Sequence, residues 1–584
     1  MKIARFLSLR ATAAAVACLF AATPGWTAAA PADEGAAPPS APFERLTDDF
    51  VFGSLALSPI TASAAGYHQF HGKVLDDELD DFSPAGIQAL RSFLDGIDAR
   101  IAKQPRETLD PEQRADLDII HGAVGADRFE LDEAQGYRHN PTSYVELIGN
   151  ALYVPYILRD GPAAVRYDHI IHRLLALPRL IGQAQANLVD SPEIWNRVAR
   201  EENAGNIDLI DSTLRADCPA EQRARFEQAA APAIAALRRF SGWLESDLSK
   251  RTSDWRLGKE RYARKFALVL ATDKTPDELL AEAERDLDKV RAEMVKLAAP
   301  MSVEQALDAV ARQHATPATY LAEAQSSLVQ ATAFVKAKQL LTLPANGNLK
   351  VIETPVFMRG IYGVGGFNPA PALEPALGAF YWITPIPSDW PQTRVDSKLR
   401  EYNDSMMQHL TVHEAMPGHY VQAEYANQIE PQSRRVLRNL YGNTPYIEGW
   451  AVYGQQLMAE QGYRADTPGY QLTLQKQMLR VLANSILDIR LQTLGMTDEQ
   501  ALELMIKKTY QEQEEATAKL QRAKLSSCQL PTYYAGYKGW LAVRDHYRTE
   551  RGADFSLREF HERALREGAV PLPILDRLLQ PQAR

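Results

Sequence analysis

The sequence predicts a mostly α fold, with one small β-sheet lying just ahead of a helix that ends in a His-Glu pair. Three observations lead there. Residues 43–346 carry apolar positions three and four apart almost throughout, the spacing of one buried helix face. The character then changes: "LKVIETPVFM" (349–358) and "GAFYWITPI" (378–386) are β-branched and aromatic, and a Gly/Pro-rich loop divides them. Helical patterning returns after Pro391 and runs to the end, including 396–416, 446–461, 470–494 and 498–522. No internal repeat is evident.

The 584 residues are 46% hydrophobic and 24% charged, enough apolar material for a large core. A formal net charge of −10 argues against a nucleic-acid-binding surface. Residues 1–30 read as a secretory signal. Lys2, Arg5 and Arg10 form a positive start, "ATAAAVACLFAA" (11–22) is a short apolar run, and "TAAA" (27–30) offers small residues for cleavage. "AVAC" is a poor lipobox, because no Leu stands three positions before Cys18. The expected location is therefore periplasmic or secreted, with no stable membrane insertion. "PADEGAAPPSAP" (31–42) reads as a linker. An N-terminal helical region (43–346) and a sheet-plus-helix region (347–584) follow as one continuous domain. Cys218 and Cys528 are expected to be two separate buried thiols.

In "TPDELLAEAERDLDKVRAEMVKLA" (275–298), Thr275 and Glu278 can form a capping box with Pro276 at the first helical position. Leu280, Ala283, Leu287, Val290, Met294 and Leu297 then make a stripe suited to burial.

The stretch "HEAMPGH" (413–419) carries chemistry. In H-E-x-x-H, two His four apart on a helix share a zinc. Here they are six apart, which on a straight helix means a rotation of roughly 240° and a rise of about 9 Å. Pro417 interrupts the helix and Gly418 frees the backbone, so a local reversal could return His419 to His413. Spacing alone leaves both readings open: ordinary helix and loop residues, or a rebuilt metal site. A third ligand is available in Glu448, a carboxylate among Ile447, Trp450, Ala451 and Val452. Glu424 and Glu430 are nearer in sequence but sit in what reads as a solvated helix end.

"HEAMPGHYVQ", "EGWAVYGQQL", "CQLPTYYAGYKGWLAVR" and "FHERALREGAVPLPIL" occur in an order and spacing that resemble the bacterial domain of unknown function 885 family, placed among zincin-type metallopeptidases. The resemblance is strongest from Tyr402 to Leu579. It implies a large helical zincin-like fold with a deep cleft, and one zinc per chain on His413, His419 and Glu448. Glu414 would be the general base, and Tyr533 a donor to the developing oxyanion. Arg544, at the end of a matched segment, could hold a peptide carboxylate. The strand before the zinc helix, with Tyr381 in it, could line extended substrate as an edge strand. Two departures stand out: Gln492 replaces a His of the family pattern, and Gln455 a Glu.

The expected activity is zinc-dependent hydrolysis of short peptides. The alternatives are hydrolysis of a non-peptide amide or ester, and a catalytically silent peptide binder.

Overall fold

The computed structural model describes residues 42–580 apart from 346, 355–358, 360 and 361. The signal sequence (1–30) and all but the last residue of the linker (31–42) lie outside the described residues, as do positions 355–358 of the first expected strand. The molecule is mostly helical. The capping box at Thr275 forms, with Thr275 Oγ1 accepting the Glu278 N–H at 3.2 Å and the Glu278 carboxylate accepting the Thr275 N–H at 2.8 Å. The Pro276–Ala298 helix it starts buries Leu280, Ala283, Leu287 and Met294 but leaves Leu297 exposed.

A two-stranded ribbon, β1 (Gln69–Phe70) and β2 (Lys73–Val74), interrupts the N-terminal helices. The main sheet has three strands, β3 (Leu349–Glu353), β4 (Gly365–Asn368) and β5 (Ala379–Ile383), in the order β3-β5-β4. The first two strands along the chain therefore flank the third: β3 runs parallel to β5, and β4 antiparallel to it. This corrects the reading of "GAFYWITPI" as an edge strand. The sequence "GGFN" of β4 lies in the Gly/Pro-rich stretch, and its two glycines carry no β signal. All five residues of β5 are buried, as befits a central strand covered on both faces. Ala379, Tyr381 and Ile383 enter the core that includes the histidine-bearing helix, whereas Phe380 and Trp382 enter a second core built from helices of the 141–248 region. That first core draws residues from both sides of position 346, so the two regions read from the sequence share one interior.

Two expected helices are each divided. Residues 396–416 form Gln392–Glu401 and then Asp404–Glu414, the histidine helix, because the Asn403 side chain stops one and caps the next. Residues 498–522 form Asp498–Glu503, a wide turn at Leu504–Lys508, and then Gln513–Leu525. The helices Thr444–Glu460 (the glutamate helix) and Pro468–Thr493 match the sequence pattern closely. No described helix is long and apolar enough to cross a membrane.

Candidate metal centre

His413 and Glu414 occupy the last turn of the histidine helix. Beyond them Ala415 leaves helical geometry, and the chain doubles back: the Met416 N–H donates to Thr411 O at 3.1 Å and the Gly418 N–H to Val412 O at 3.0 Å. A Cβ at position 418 would sit 1.9 Å from the His413 carbonyl oxygen, so only glycine permits this return. A new helix begins at His419. The Trp450 indole N–H donates to Pro417 O at 2.9 Å and fixes the turn against the glutamate helix. The reversal leaves the His413 and His419 rings 4.7 Å apart and nearly perpendicular.

Glu448 comes to them from the glutamate helix, which Asn443 caps by accepting the Tyr446 N–H at 3.1 Å. Glu448 Oε2 lies 3.6 Å from His413 Nε2 and 3.5 Å from His419 Nε2. These separations are long for hydrogen bonds. They suit two donors bound to one tetrahedral zinc at about 2.0–2.1 Å, which stand roughly 3.4 Å apart. Glu448 Oε2 is buried with no hydrogen-bond partner among the described residues, an arrangement a cation would relieve. Burial opposes the charge on Glu448, but His413 and His419 outweigh it and hold the carboxyl well below its usual range. Burial likewise opposes protonation of His419, and Glu448 and Glu414 reverse that effect. Two imidazoles and an ionised carboxylate form a donor set that fits zinc.

Glu414 is held from the sheet. Its Oε2 accepts the Phe367 N–H at 3.0 Å, so a backbone group of β4 points at the site rather than at β5. The Phe367 ring stacks on His419 at 6.5 Å. On the other side, the Tyr533 ring lies 6.4 Å from the His413 ring at 25° to it. The Tyr533 phenol accepts from Gln529 Nε2 at 3.3 Å and faces the Arg522 guanidinium. Burial, with Glu448 adding to it, pushes this phenol up, so it remains a donor at neutral pH. Tyr534 points elsewhere and donates to Asp286 at 2.7 Å.

The remaining sequence candidates sit differently. Tyr381 is fully buried between β5 and the histidine helix, its hydroxyl 3.3 Å from Thr411 Oγ1, and offers no surface to a substrate. Its place on the central strand is the reason. Arg544 is committed to Glu460 at 3.1 Å and lies over the Tyr453 ring, which takes the guanidinium out of the role given to it. Glu424 is buried beside Asn348 rather than solvated, and Glu430 pairs with Arg435. Gln492 spends its amide on the Leu257 N–H and Ser526 O, and Gln455 donates to His409 O. Both departures from the family pattern thus brace backbone in the core. Cys218 and Cys528 are buried in different core clusters. His68, Asp160 and Glu374 also converge, but His68 Nδ1 is already engaged by Asp76 at 2.8 Å. The sequence reading missed β4 as the strand beside the site, and it missed Arg522. The signal for Arg522 was its place seven residues before Gln529, on a helix leading directly to the tyrosine segment.

Residues 59–579 match the family model described as bacterial protein of unknown function (DUF885). The chain belongs to this family. The DUF885 fold recurs in a candidate lipoprotein of unknown function from Shewanella oneidensis, at 26% identity and a TM-score of 0.77, covering 92% of this chain and all of that one. A candidate lipoprotein from Colwellia psychrerythraea shares the fold at 19% identity and a TM-score of 0.76, covering 92% of this chain and 98% of that one. No curated protein sequence matches the chain.

Proposed function

We propose that this DUF885 protein is an exported zinc-dependent hydrolase, a peptidase acting on short peptides. The observation that carries the reading is the meeting of His413, His419 and Glu448 from three helices, with Glu414 and Tyr533 on either side. His413 Nε2, His419 Nε2 and Glu448 Oε2 would hold one metal. When bound, zinc supplies Lewis acidity and makes a water acidic enough to ionise near neutral pH.

The chain's own groups divide the remaining work. Glu414, its orientation fixed by the Phe367 N–H, takes the proton of the attacking water and returns it to the leaving amine. Tyr533, kept protonated, donates a hydrogen bond to the oxygen on which negative charge develops. β4 flanks the site with outward-facing backbone, which suits an extended peptide better than a compact ester. Export is supported by the N-terminal pattern, and by the lipoprotein description that both structural relatives carry.

The test is a digest of a mixed peptide library, read by mass spectrometry, with the protein as purified, after chelation and after zinc is restored. Chelator-sensitive cleavage, recovered with zinc, is expected. Peptides left intact by the zinc-loaded protein refute the peptidase reading.

A further inference from the structure

Next to the metal centre the charges do not balance. Along one face of the Gln513–Leu525 helix stand Glu515, Lys519 and Arg522, spaced four and three apart. Glu515 is taken by Arg480 at 2.6 Å and by the Tyr402 hydroxyl at 3.2 Å. Glu401, close by, is taken by Lys476 at 2.8 Å and by Arg480 at 3.0 Å. The two acids are therefore matched by Arg480 and Lys476. Lys398, Lys519 and Arg522 are left without an ion pair among the described residues. Lys398 gives its ammonium to the Gly363 carbonyl at 2.8 Å, in the segment leading into β4. Arg522 is exposed to solvent at the end of this row.

The position of this surplus relative to the site is well defined. Arg522 faces the Tyr533 phenol and is joined to it through Gln529, which accepts from Arg522 at 3.2 Å and donates to Tyr533 at 3.3 Å. Tyr533 in turn stacks beside His413. One aromatic ring thus separates the guanidinium from a metal ligand.

We propose that Arg522 and Lys519 form an anion subsite that binds the α-carboxylate of a peptide's C-terminal residue, so that the bond cleaved lies within a residue or two of the free C terminus. This rests on the hydrolase reading above and names its substrate class. Arginine presents two parallel N–H donors that fit a carboxylate, and lysine adds a point charge. Burial, then Arg480 and Arg522, press the Lys519 ammonium down to about 7, so a bound anion relieves a crowd of like charges. An extended residue spans about 3.3–3.6 Å, and one or two of them bridge the width of a tyrosine ring. An acidic side chain offers the same chemistry, and the experiment separates the two sources.

Degenerate tri- and tetrapeptide mixtures are prepared as free acids, as C-terminal amides, and as amides with Glu at the last position. Cleavage is measured with the zinc-loaded wild type, and binding is measured calorimetrically with the zinc-loaded Glu414→Gln protein, which needs no turnover. The expected result is a preference of about 10- to 100-fold for free acids over amides in both readouts. Arg522→Gln should abolish the preference, Lys519→Met should reduce it and Arg522→Lys should retain part of it, with melting temperatures establishing that each variant folds. If only the Glu-bearing amides recover affinity to the free-acid level, the subsite reads side chains and the C-terminal assignment is overturned. Free acids that bind preferentially but are never cleaved sink the hydrolase reading and leave the subsite standing. Cleavage with no acid preference, or a preference that survives Arg522→Gln, overturns the subsite alone. Peptides neither bound nor cleaved overturn both.

Discussion

Gly449 and Gly536 meet backbone to backbone where the glutamate helix crosses the Pro531–Arg551 helix: a Cβ on Gly449 would lie 2.3 Å from the Gly536 carbonyl carbon, and one on Gly536 2.0 Å from the Pro445 carbonyl oxygen. Glu448 is one residue from the first glycine and Tyr533 three from the second, so this crossing sets the distance between a candidate ligand and a candidate donor. Gly536→Ala should force the helices apart, since the opposing atoms are main chain and cannot rotate away. A loss of about 1–3 kcal/mol in stability is expected, measured by urea unfolding. Turnover should fall further than the fraction unfolded accounts for. A variant with wild-type stability and rate would show that the crossing does not hold the site.

Metal content is the second prediction. The purified mature protein should bind one zinc per chain, and His413→Ala and Glu448→Ala should lose most of it. Gly418→Ala, which touches no metal, should also lose zinc, because the added methyl group collides with the His413 carbonyl and opens the reversal. Full zinc retention in Glu448→Ala would remove that residue from the site. Equal retention in Gly418→Ala would mean the two histidines do not depend on the turn.

Much of this centre was legible because its signals are local. A His-Glu pair ending a helix, a Pro-Gly break and a lone acid in apolar company can each be read within a few residues. The reversal at Gly418 follows from what proline forbids and glycine allows. Other features depend on long-range pairing that no short window carries. β4 is a strand because Gly365–Asn368 finds its partners in β5 between twelve and eighteen residues later, and that pairing turned the expected edge strand into the centre of the sheet. Tyr381 was thereby buried. Arg544 and Arg522 are both arginines near the tyrosine segment, and only the fold reveals that Glu460 claims the first while the second donates to Gln529 beside Tyr533. The break at Asn403 was written in the sequence, since asparagine is a preferred cap, but the helical patterning read across 396–416 masked the signal.

The third prediction concerns the base. Glu414→Gln should keep the fold and the zinc, because an amide can still accept the Phe367 N–H, yet it cannot take a proton from water. A drop of about 10²–10⁴ in turnover is expected, with zinc content unchanged. Wild-type turnover would assign the proton transfer to another group.

Tyr533→Phe supplies the fourth. If the hydroxyl bonds only the developing oxyanion, kcat should fall by about 10²–10³ while KM changes little. Tyr534→Phe is a built-in control, since its hydroxyl is spent on Asp286 and its loss should lower stability rather than kcat. A large kinetic defect in Tyr534→Phe, with none in Tyr533→Phe, would reverse the assignment.

The fifth prediction is acid lability from two histidines outside the proposed metal ligands. His409 is enclosed in the histidine helix, its Nε2–H donating to Tyr470 O at 3.0 Å and its ring stacked on Tyr470 at 4.0 Å. His561 donates from Nδ1 to Leu340 O at 2.8 Å and accepts at Nε2 from the Tyr453 hydroxyl at 2.8 Å, an arrangement that requires the neutral ring. Burial pushes both down to about 4, against an ordinary value of 6.5. Between those two values the unfolded chain binds protons that the folded chain refuses. Stability is therefore undiminished above about pH 6.5 and declines as the pH falls toward 4, by at most about 3 kcal/mol for each ring. Urea midpoints taken from about pH 7.5 down to about pH 4.5 should trace this decline. His561→Gln should be less stable than wild type at neutral pH, since it loses a well-packed ring, but its stability should depend less steeply on pH. An equally steep dependence in that variant would mean that His561 already titrates normally in the folded protein, and that the acid lability arises elsewhere.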